Sequence, residues 1–390
     1  MGELIVEYLG LLAIFFKYTW WLILPFALYS IFKPVWQKFI VNCYFAEKIN
    51  QKLLRIKIPR DLMVNPKAME SVLAGLSGTG RNITIYDGLT TGAVQDFFSF
   101  EIAGNEGDLG FFVFTPKRSQ LLIEKLLYSQ FPGIEIVEVE DYTKAIPNTI
   151  PDENWNLWGG KYILEKGQER PINTYPYFED KLTGELIDPL SGLFEAMGTL
   201  GPGEHLWIQI QVVPAMPDWK KESMKKIEEI LKKYNIGAET DSSEAGMMKI
   251  LPHHELELIK SIHSKMAKPG FNTQILFAYI ARKEAFRDIM PGIIGGSFKQ
   301  FENSDINAFF ADKYYTTSAF FLASNQRKDY RKRRLVDMLK DRDMQGETPV
   351  LNSEEIATLF HFPTPTVQIP SVPRLDAKTA PAPGNLPISE

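Results

Sequence analysis

The sequence predicts an α+β protein in three parts: an N-terminal transmembrane helix, two ferredoxin-like β-β-α-β units with antiparallel sheets, and a Pro-rich C-terminal arm. Three observations carry that prediction. Residues 8–32 contain one charge, Lys17, among apolar and aromatic side chains. Residues 97–141 read as strand, turn, strand, helix, strand, because the hydrophobic period switches from two to about 3.6 and back. Residues 205–310 run through the same order around a longer, charged insertion.

Spanning a bilayer takes about 20 predominantly apolar residues, and two registers supply them. One covers 8–32 and needs Lys17 to snorkel; the other covers 18–36 and leaves residues 4–16 at the surface. The second is preferred, because aromatics then sit at both interfaces. The expected interface anchors are Lys17, Trp20, Trp21, Lys33, Trp36 and Lys38. A cleaved signal peptide fits less well: the early charges are Glu3 and Glu7, and no A-x-A site follows. Lys33, Lys38, Lys48, Lys52, Arg55, Lys57 and Arg60 crowd the far side of the span. The positive-inside rule then puts the N-terminus outside and the body in the cytoplasm, as a single-pass inner-membrane protein. The lone Cys43 allows no intramolecular disulfide framework and suits a reducing compartment.

Residues 39–58 read as an amphipathic juxtamembrane helix or linker closed by Pro59. Asn65-Pro66 opens a short helix through Met69, Val72, Leu73 and Leu76. Gly75, Gly78, Gly80 and Arg81 form a plain turn, since no lysine followed by Ser or Thr completes a phosphate loop. Phe98, Phe100 and Ile102 then alternate with Ser99 and Glu101 as in a half-buried strand, and Gly104, Asn105, Gly107 and Asp108 supply turn chemistry. A strand over 110–115, a helix carrying Leu122, Ile123, Leu126 and Leu127, and a strand over 134–140 complete the first unit. The apolar alternation slips between Ile136 and Val137, which predicts a bulge or a loose end. Glu101, Glu135, Glu138 and Glu140 read as an exposed sheet face.

Residues 142–176, rich in proline, asparagine and tryptophan, read as a loop-rich connection. Residues 204–213 form the cleanest alternation in the chain. Charged helices follow over 219–234 and 252–266, then a strand over 271–280, a helix starting at 282 and broken by Pro291-Gly292, and a short strand at 306–310. Arg327, Lys328, Arg331, Lys332, Arg333 and Arg334 form a basic cluster around Tyr330. It is either a contact for nucleic-acid phosphates or lipid headgroups, or a solvated helix face on which Asp337 and Asp341 answer the charge. Asn352-Ser353-Glu354-Glu355 opens a capped helix, and proline is frequent from Pro363 to the end. The expected boundaries are 1–38 for the anchor, 39–64 for the linker, 65–200 and 201–345 for the two units, and 346–390 for the short helix and arm.

Motifs for chemistry are sparse. Neither a P-loop nor a dinucleotide fingerprint occurs, serines lack a G-x-S-x-G elbow, and the net charge of −5 announces no polyanion partner. His253, His254, Glu255, Glu257 and His263 invite a zinc reading, but H-E-x-x-H is missing and the histidine spacing is wrong for one helix face. The expectation is a non-enzyme with no cofactor, no metal and no catalytic residue.

Several stretches carry a resemblance. They are Phe98-Ser99-Phe100-Glu101-Ile102, residues 111–116, 124–132 and 134–142, Leu200-Gly201-Pro202-Gly203-Glu204 leading to Trp207-Ile208-Gln209, and residues 296–307. The most specific is residues 351–363, with 382–387 after it. Together they resemble the membrane-anchored front part of bacterial type IV secretion or conjugative DNA-transfer ATPases and related HerA-type translocases. In such relatives the 351–363 segment lies just before the ATPase core, which has no counterpart in this sequence. The resemblance implies a non-catalytic module that positions a motor ATPase at the membrane. The bilayer and the motor would be its partners, DNA would be reached through the motor, and several copies would follow from the ring-forming habit of such motors. The alternative is a stand-alone membrane-anchored scaffold or ligand-binding protein, with the aromatics of 155–178 lining the site.

Overall fold

The computed structural model describes residues 2–40, 50–59, 65–180, 187–234, 251–321 and 323–363. In chain order the elements are α1 (Gly2–Ile40), β1 (Gln51–Lys57), α2 (Lys67–Ser77), α3 (Ile85–Thr90), β2 (Phe98–Asn105), β3 (Asp108–Pro116), α4 (Lys117–Gln130) and β4 (Glu135–Val139). There follow β5 (Trp155–Leu164), α5 (Ser191–Gly198), β6 (Glu204–Pro214), α6 (Asp218–Lys233), α7 (His253–Met266) and β7 (Gly270–Arg282). The chain continues with α8 (Met290–Lys299), β8 (Phe309–Ala311), α9 (Ser324–Asp341), β9 (Val350–Asn352) and α10 (Ser353–Leu359). They group into two compact units, Met1–Asn50 with Arg81–Gln95, and Gln51–Gly80 with Asp96–Glu390.

The smaller unit holds α1 and α3. Thr84 and Asp87 form a reciprocal capping box at the start of α3. Trp36 Nε1 donates to the Leu89 carbonyl of that helix at 3.1 Å. The expected membrane anchor is not found. Among the described residues, no helix is long and apolar enough to cross a membrane. Thr19, Pro25, Ser30 and Lys33 interrupt the apolar run, and Tyr18, Trp20, Trp21 and Tyr29 dilute it with amphipathic rings. The single-pass topology and the inner-membrane location fall with the anchor. Of the residues assigned to an interface, Lys17, Trp20 and Trp21 are exposed, Lys33 is half-buried, and Trp36 is tied to α3. The Lys38 side chain lies outside the described ones.

The larger unit is built on one antiparallel sheet of nine strands, ordered β4-β1-β3-β2-β6-β7-β5-β8, with β9 continuing the β5 side of β7. This corrects the expectation of two separate β-β-α-β units. The seam is β2 against β6, paired without a break from Phe98↔Val212 to Asn105↔His205. Two isolated sheets would have left both of these strands as open edges. β1 is a second correction: residues 51–57, expected in a helix or linker, lie between β3 and β4. Their cations are cross-strand partners, with Lys52 paired to Glu138, Arg55 to Asp108 at 2.8 Å and Lys57 to Glu135 at 3.2 Å. β4 pairs residue for residue from Leu53↔Val139 to Lys57↔Glu135, so the slip at Ile136-Val137 produces no bulge.

β5 is the third correction, since it runs through the expected loop-rich connection. Gly159 permits it: a Cβ there would lie 2.3 Å from the Phe277 carbonyl oxygen, so only glycine lets β5 approach β7 at this point. Glu106 and Gly107 close the β2–β3 hairpin with φ of 51° and 89°, the double left-handed turn whose twist suits a two-residue loop. Pro291 falls in the first turn of α8 rather than breaking a longer helix, where its missing N–H costs nothing.

Both sheet faces are covered. Phe98, Phe100, Ile102, Phe111, Ile208, Ile210 and Phe277 form one core with Leu73, Leu127, Phe194, Ile294 and Phe360 from α2, α4, α5, α8 and the end of α10. On the opposite face Phe112, Leu157, Trp207, Ala278 and Ile280 meet Leu335, Val336, Met338 and Leu339 of α9. Every residue of β2 except Asn105 is therefore buried, including Ser99 and Glu101.

Candidate functional site

Glu101 is not on an exposed face. Arg342, left-handed at φ 52° just past the end of α9, reaches it with Nε–Oε1 at 2.7 Å and Nη2–Oε2 at 3.1 Å. The same guanidinium takes Asp141 at 2.6 and 3.1 Å and lies 4.1 Å over the Phe114 ring. Burial opposes the Arg342 charge, but Glu101 and Asp141 outweigh it and raise the pKa. Burial likewise pushes Asp141 up, yet the bonds from Arg342 bring it below its ordinary value. Burial and the neighbouring Glu101 carboxylate push Tyr142 well above its ordinary range. The Tyr142 hydroxyl donates to Glu101 at 2.7 Å and accepts from Gln209 at 3.0 Å. Gln211 donates to Gln209 at 3.4 Å, Gln274 to Gln211 at 3.0 Å, and the Gln345 N–H to Gln274 at 2.9 Å. This hydrogen-bonded row crosses the sheet beneath α9. One guanidinium faces two carboxylates and every side chain in the row has a hydrogen-bond partner, the pattern of a structural network.

The basic cluster on α9 divides in two. Arg331 donates to the Thr316 and Ser318 carbonyls, Lys332 to Asn156 Oδ1 at 2.7 Å, and Arg334 to Gln345 Oε1 at 2.9 and 3.1 Å. Burial lowers Lys332 below its ordinary pKa, with Asp329 opposing and Lys328 reinforcing the shift. These three side chains fasten α9 and the preceding loop to the sheet. Arg327 donates to the Phe320 carbonyl at 3.2 Å and otherwise faces solvent with Tyr330 and Arg333. Asp337 and Asp341 make no ion pair with the cluster among the described residues; burial and Asp341 raise the Asp337 pKa instead.

His253 and His254 border a cleft of about 520 Å³ that also takes in Arg170, Glu257 and Asp305. A second cleft of about 320 Å³ shares Arg170 and Glu255 with it and adds Lys226, Glu229 and Lys233. Both are lined by charges of either sign. Among the described residues, no group of three or more His, Cys, Asp or Glu side chains could hold a metal ion. Cys43 lies outside the described residues.

The aromatics of 155–178 do not converge on one ligand surface. Trp155 stacks on His205 at 5.8 Å, Trp158 meets Phe277 at 5.4 Å, Tyr162 lies 4.3 Å from Phe298, and Phe178 meets Phe301 at 5.9 Å. Tyr175 donates its hydroxyl to Glu70 at 2.8 Å, while Tyr177 is exposed.

The segment expected to begin an arm is built into the body as far as Pro363. β9 pairs with β7 from Gly270↔Asn352 to Asn272↔Val350. Asn352 and Glu355 then form a reciprocal capping box on α10. Glu355 also meets Lys265 at 3.0 Å, with both side chains fully buried. Burial lowers the Lys265 pKa and Glu355 opposes the shift. His361 Nε2 lies 3.1 Å from Asp188 Oδ1 and Nδ1 lies 3.0 Å from the Thr358 carbonyl. Phe360 packs on Phe100 at 5.2 Å, and Phe362 on Phe131 at 4.8 Å. Residues 364–390, the rest of the expected arm, lie outside the described residues. The sequence signal for this dock was the capping box itself; the burial of its glutamate had no local signal.

A search of curated proteins finds no match. Residues 31–374 match a family model described as a domain of unknown function, DUF8128. That match covers most of the chain, from the last quarter of α1 past the end of α10. The chain belongs to the DUF8128 family.

Proposed function

We propose that this chain is a non-catalytic docking module that positions a motor ATPase of the conjugative or HerA type in a type IV secretion-like system. The observation that supports the reading best is the immobilisation of residues 350–363. A sheet pairing, a buried Lys265–Glu355 pair and the packing of Phe360 on Phe100 and of Phe362 on Phe131 fix this segment within the core. Whatever follows Pro363, or binds beside it, is thus held from a rigid point rather than from a loose tether. Rigid presentation lowers the ordering cost of assembly. Among the described residues, cations and carboxylates of the clefts pair with one another, Lys226 with Glu229 at 2.8 Å and Lys233 with Glu255 at 3.4 Å, which does not favour a catalytic alternative.

The test is co-purification of the full chain from its native host, with the recovered proteins identified by mass spectrometry. A P-loop ATPase should be recovered, and the Lys265→Ala variant should lose it if the mounted segment matters. Recovery of no ATPase by the wild-type chain would remove the proposal.

A further inference from the structure

Apolar rings rarely stand free in water on a rigid support, yet residues 310–334 hold several. Phe321 is 91% exposed and Phe320 76%, and both lie in the loop before α9. That loop is rooted in the sheet: the Thr317 N–H donates to the Gly159 carbonyl at 3.0 Å, the Gly159 N–H to the Thr317 hydroxyl at 3.2 Å, and Ala319 is buried. Arg331 clamps the Thr316 and Ser318 carbonyls, and Arg327 holds the Phe320 carbonyl. Phe321 and Ala323 take left-handed φ of 71° and 54°, a conformation costly for a bulky residue unless the surroundings enforce it. Two of the six basic residues, Arg327 and Arg331, are therefore spent on holding two phenylalanines out in solvent. Beside them on α9, Arg327, Tyr330 and Arg333 line the outward stripe.

We propose that this face is a preorganised aromatic knob that docks into an apolar pocket rimmed by carboxylates on a protein partner. Tyrosine and arginine are enriched in interface hot spots and phenylalanine in interface cores, and a knob ordered in advance loses little freedom on binding. The outward arginines call for acidic groups around the pocket. A nucleic-acid track fits less well, because Arg331, Lys332 and Arg334 already serve protein acceptors and the stripe runs on into Asp337 and Asp341. The proposal is independent of what the 350–363 segment serves.

The decisive experiment is a random-peptide display selection on the full chain. Enriched peptides should combine aromatic or aliphatic anchors with Asp or Glu, and lose about tenfold or more in affinity against Phe321→Gly. They should lose as much against the double variant Arg327→Glu with Arg333→Glu. Phe321→Gly removes the ring and also relieves the backbone, so its melting temperature should hold or rise while binding falls. A Leu121→Ser control, at an exposed apolar position on α4, should bind normally. The proposal is overturned if no peptide is enriched, or if enriched peptides bind Phe321→Gly as well as wild type. It is equally overturned if the knob variants abolish retention of a thirty-residue oligothymidylate or of phosphatidylserine vesicles, or dissolve a dimer of the chain seen by sedimentation.

Discussion

The two faces of the central sheet solve burial by different physics. One is covered by α2, α4, α5, α8 and α10 and is mostly apolar apart from the Lys265–Glu355 and His361–Asp188 contacts, stabilised by removal of surface from water and by close packing. The other lies under α9 and carries Glu101, Gln209, Gln211, Gln274 and Lys161, all fully buried. There each polar group depends on a partner, Lys161 on the Gln345 carbonyl to which it donates, and a charge left alone costs more than a missing methylene. The comparison teaches that the two faces should fail differently. The apolar face degrades with lost volume. The polar face fails when a single partner is removed and recovers when both are removed.

The strongest test is Arg342→Met, which leaves Glu101 and Asp141 without their cation. It should cost about 3–5 kcal/mol in denaturant melts. Adding Glu101→Leu and Asp141→Asn should recover most of that loss. If the triple variant is no more stable than the single one, the polar face is not the interdependent network described.

On the apolar face, Phe360→Ala should cost about 3–4 kcal/mol through lost burial and a cavity beside Phe100 and Phe111. Here a neighbouring large-to-small change should add to the damage rather than repair it. A rescue of Phe360→Ala by Phe100→Ala would erase the distinction between the faces.

Lys161 offers a pH test of the polar face. Burial lowers its pKa from 10.5 to about 8, with Asp312 and Glu347 opposing. The unfolded chain keeps this proton over the window between those two values and the folded chain gives it up, so stability rises with pH across the window. The gain should be on the order of 1–3 kcal/mol, lost again as pH falls through about 8. Lys161→Met should flatten that rise; an unchanged slope would place the titration elsewhere.

The smallest effect belongs to α10. Asn352→Ala removes the reciprocal cap and should cost about 1 kcal/mol. Its cost should not depend on whether Arg342 is present, since the two sites lie on opposite faces.

Some of this was legible in the chain. The alternation of Leu206, Ile208, Ile210 and Val212 marks β6, and Asn352 with Glu355 marks the start of α10, because both signals are local. The sequence of β1, with Lys52, Arg55 and Lys57 among leucines and isoleucine, suits a helix or a strand equally; only Glu135, Glu138 and Asp108 on its neighbours reveal why the cations are there. Glu101 misled for the same reason. A polar residue on every second strand position ordinarily faces water, and its guanidinium partner lies 241 residues away. The basic cluster was visible as charge but not as a division of labour, since the acceptors of Arg331 are carbonyls of the preceding loop.

By itself the sequence marked α2, α4, α6, α7 and α10 and the strands β2, β3, β4, β6 and β7, through hydrophobic period, caps and turn residues that act within a few positions. Only the tertiary structure decided that β2 meets β6, that one sheet replaces two, and that the polar side of that sheet is sealed beneath α9. The reason is physical. Strand pairing and charge neutralisation are contacts between distant residues, and a local period fixes which side of a strand is apolar without fixing what will cover the other.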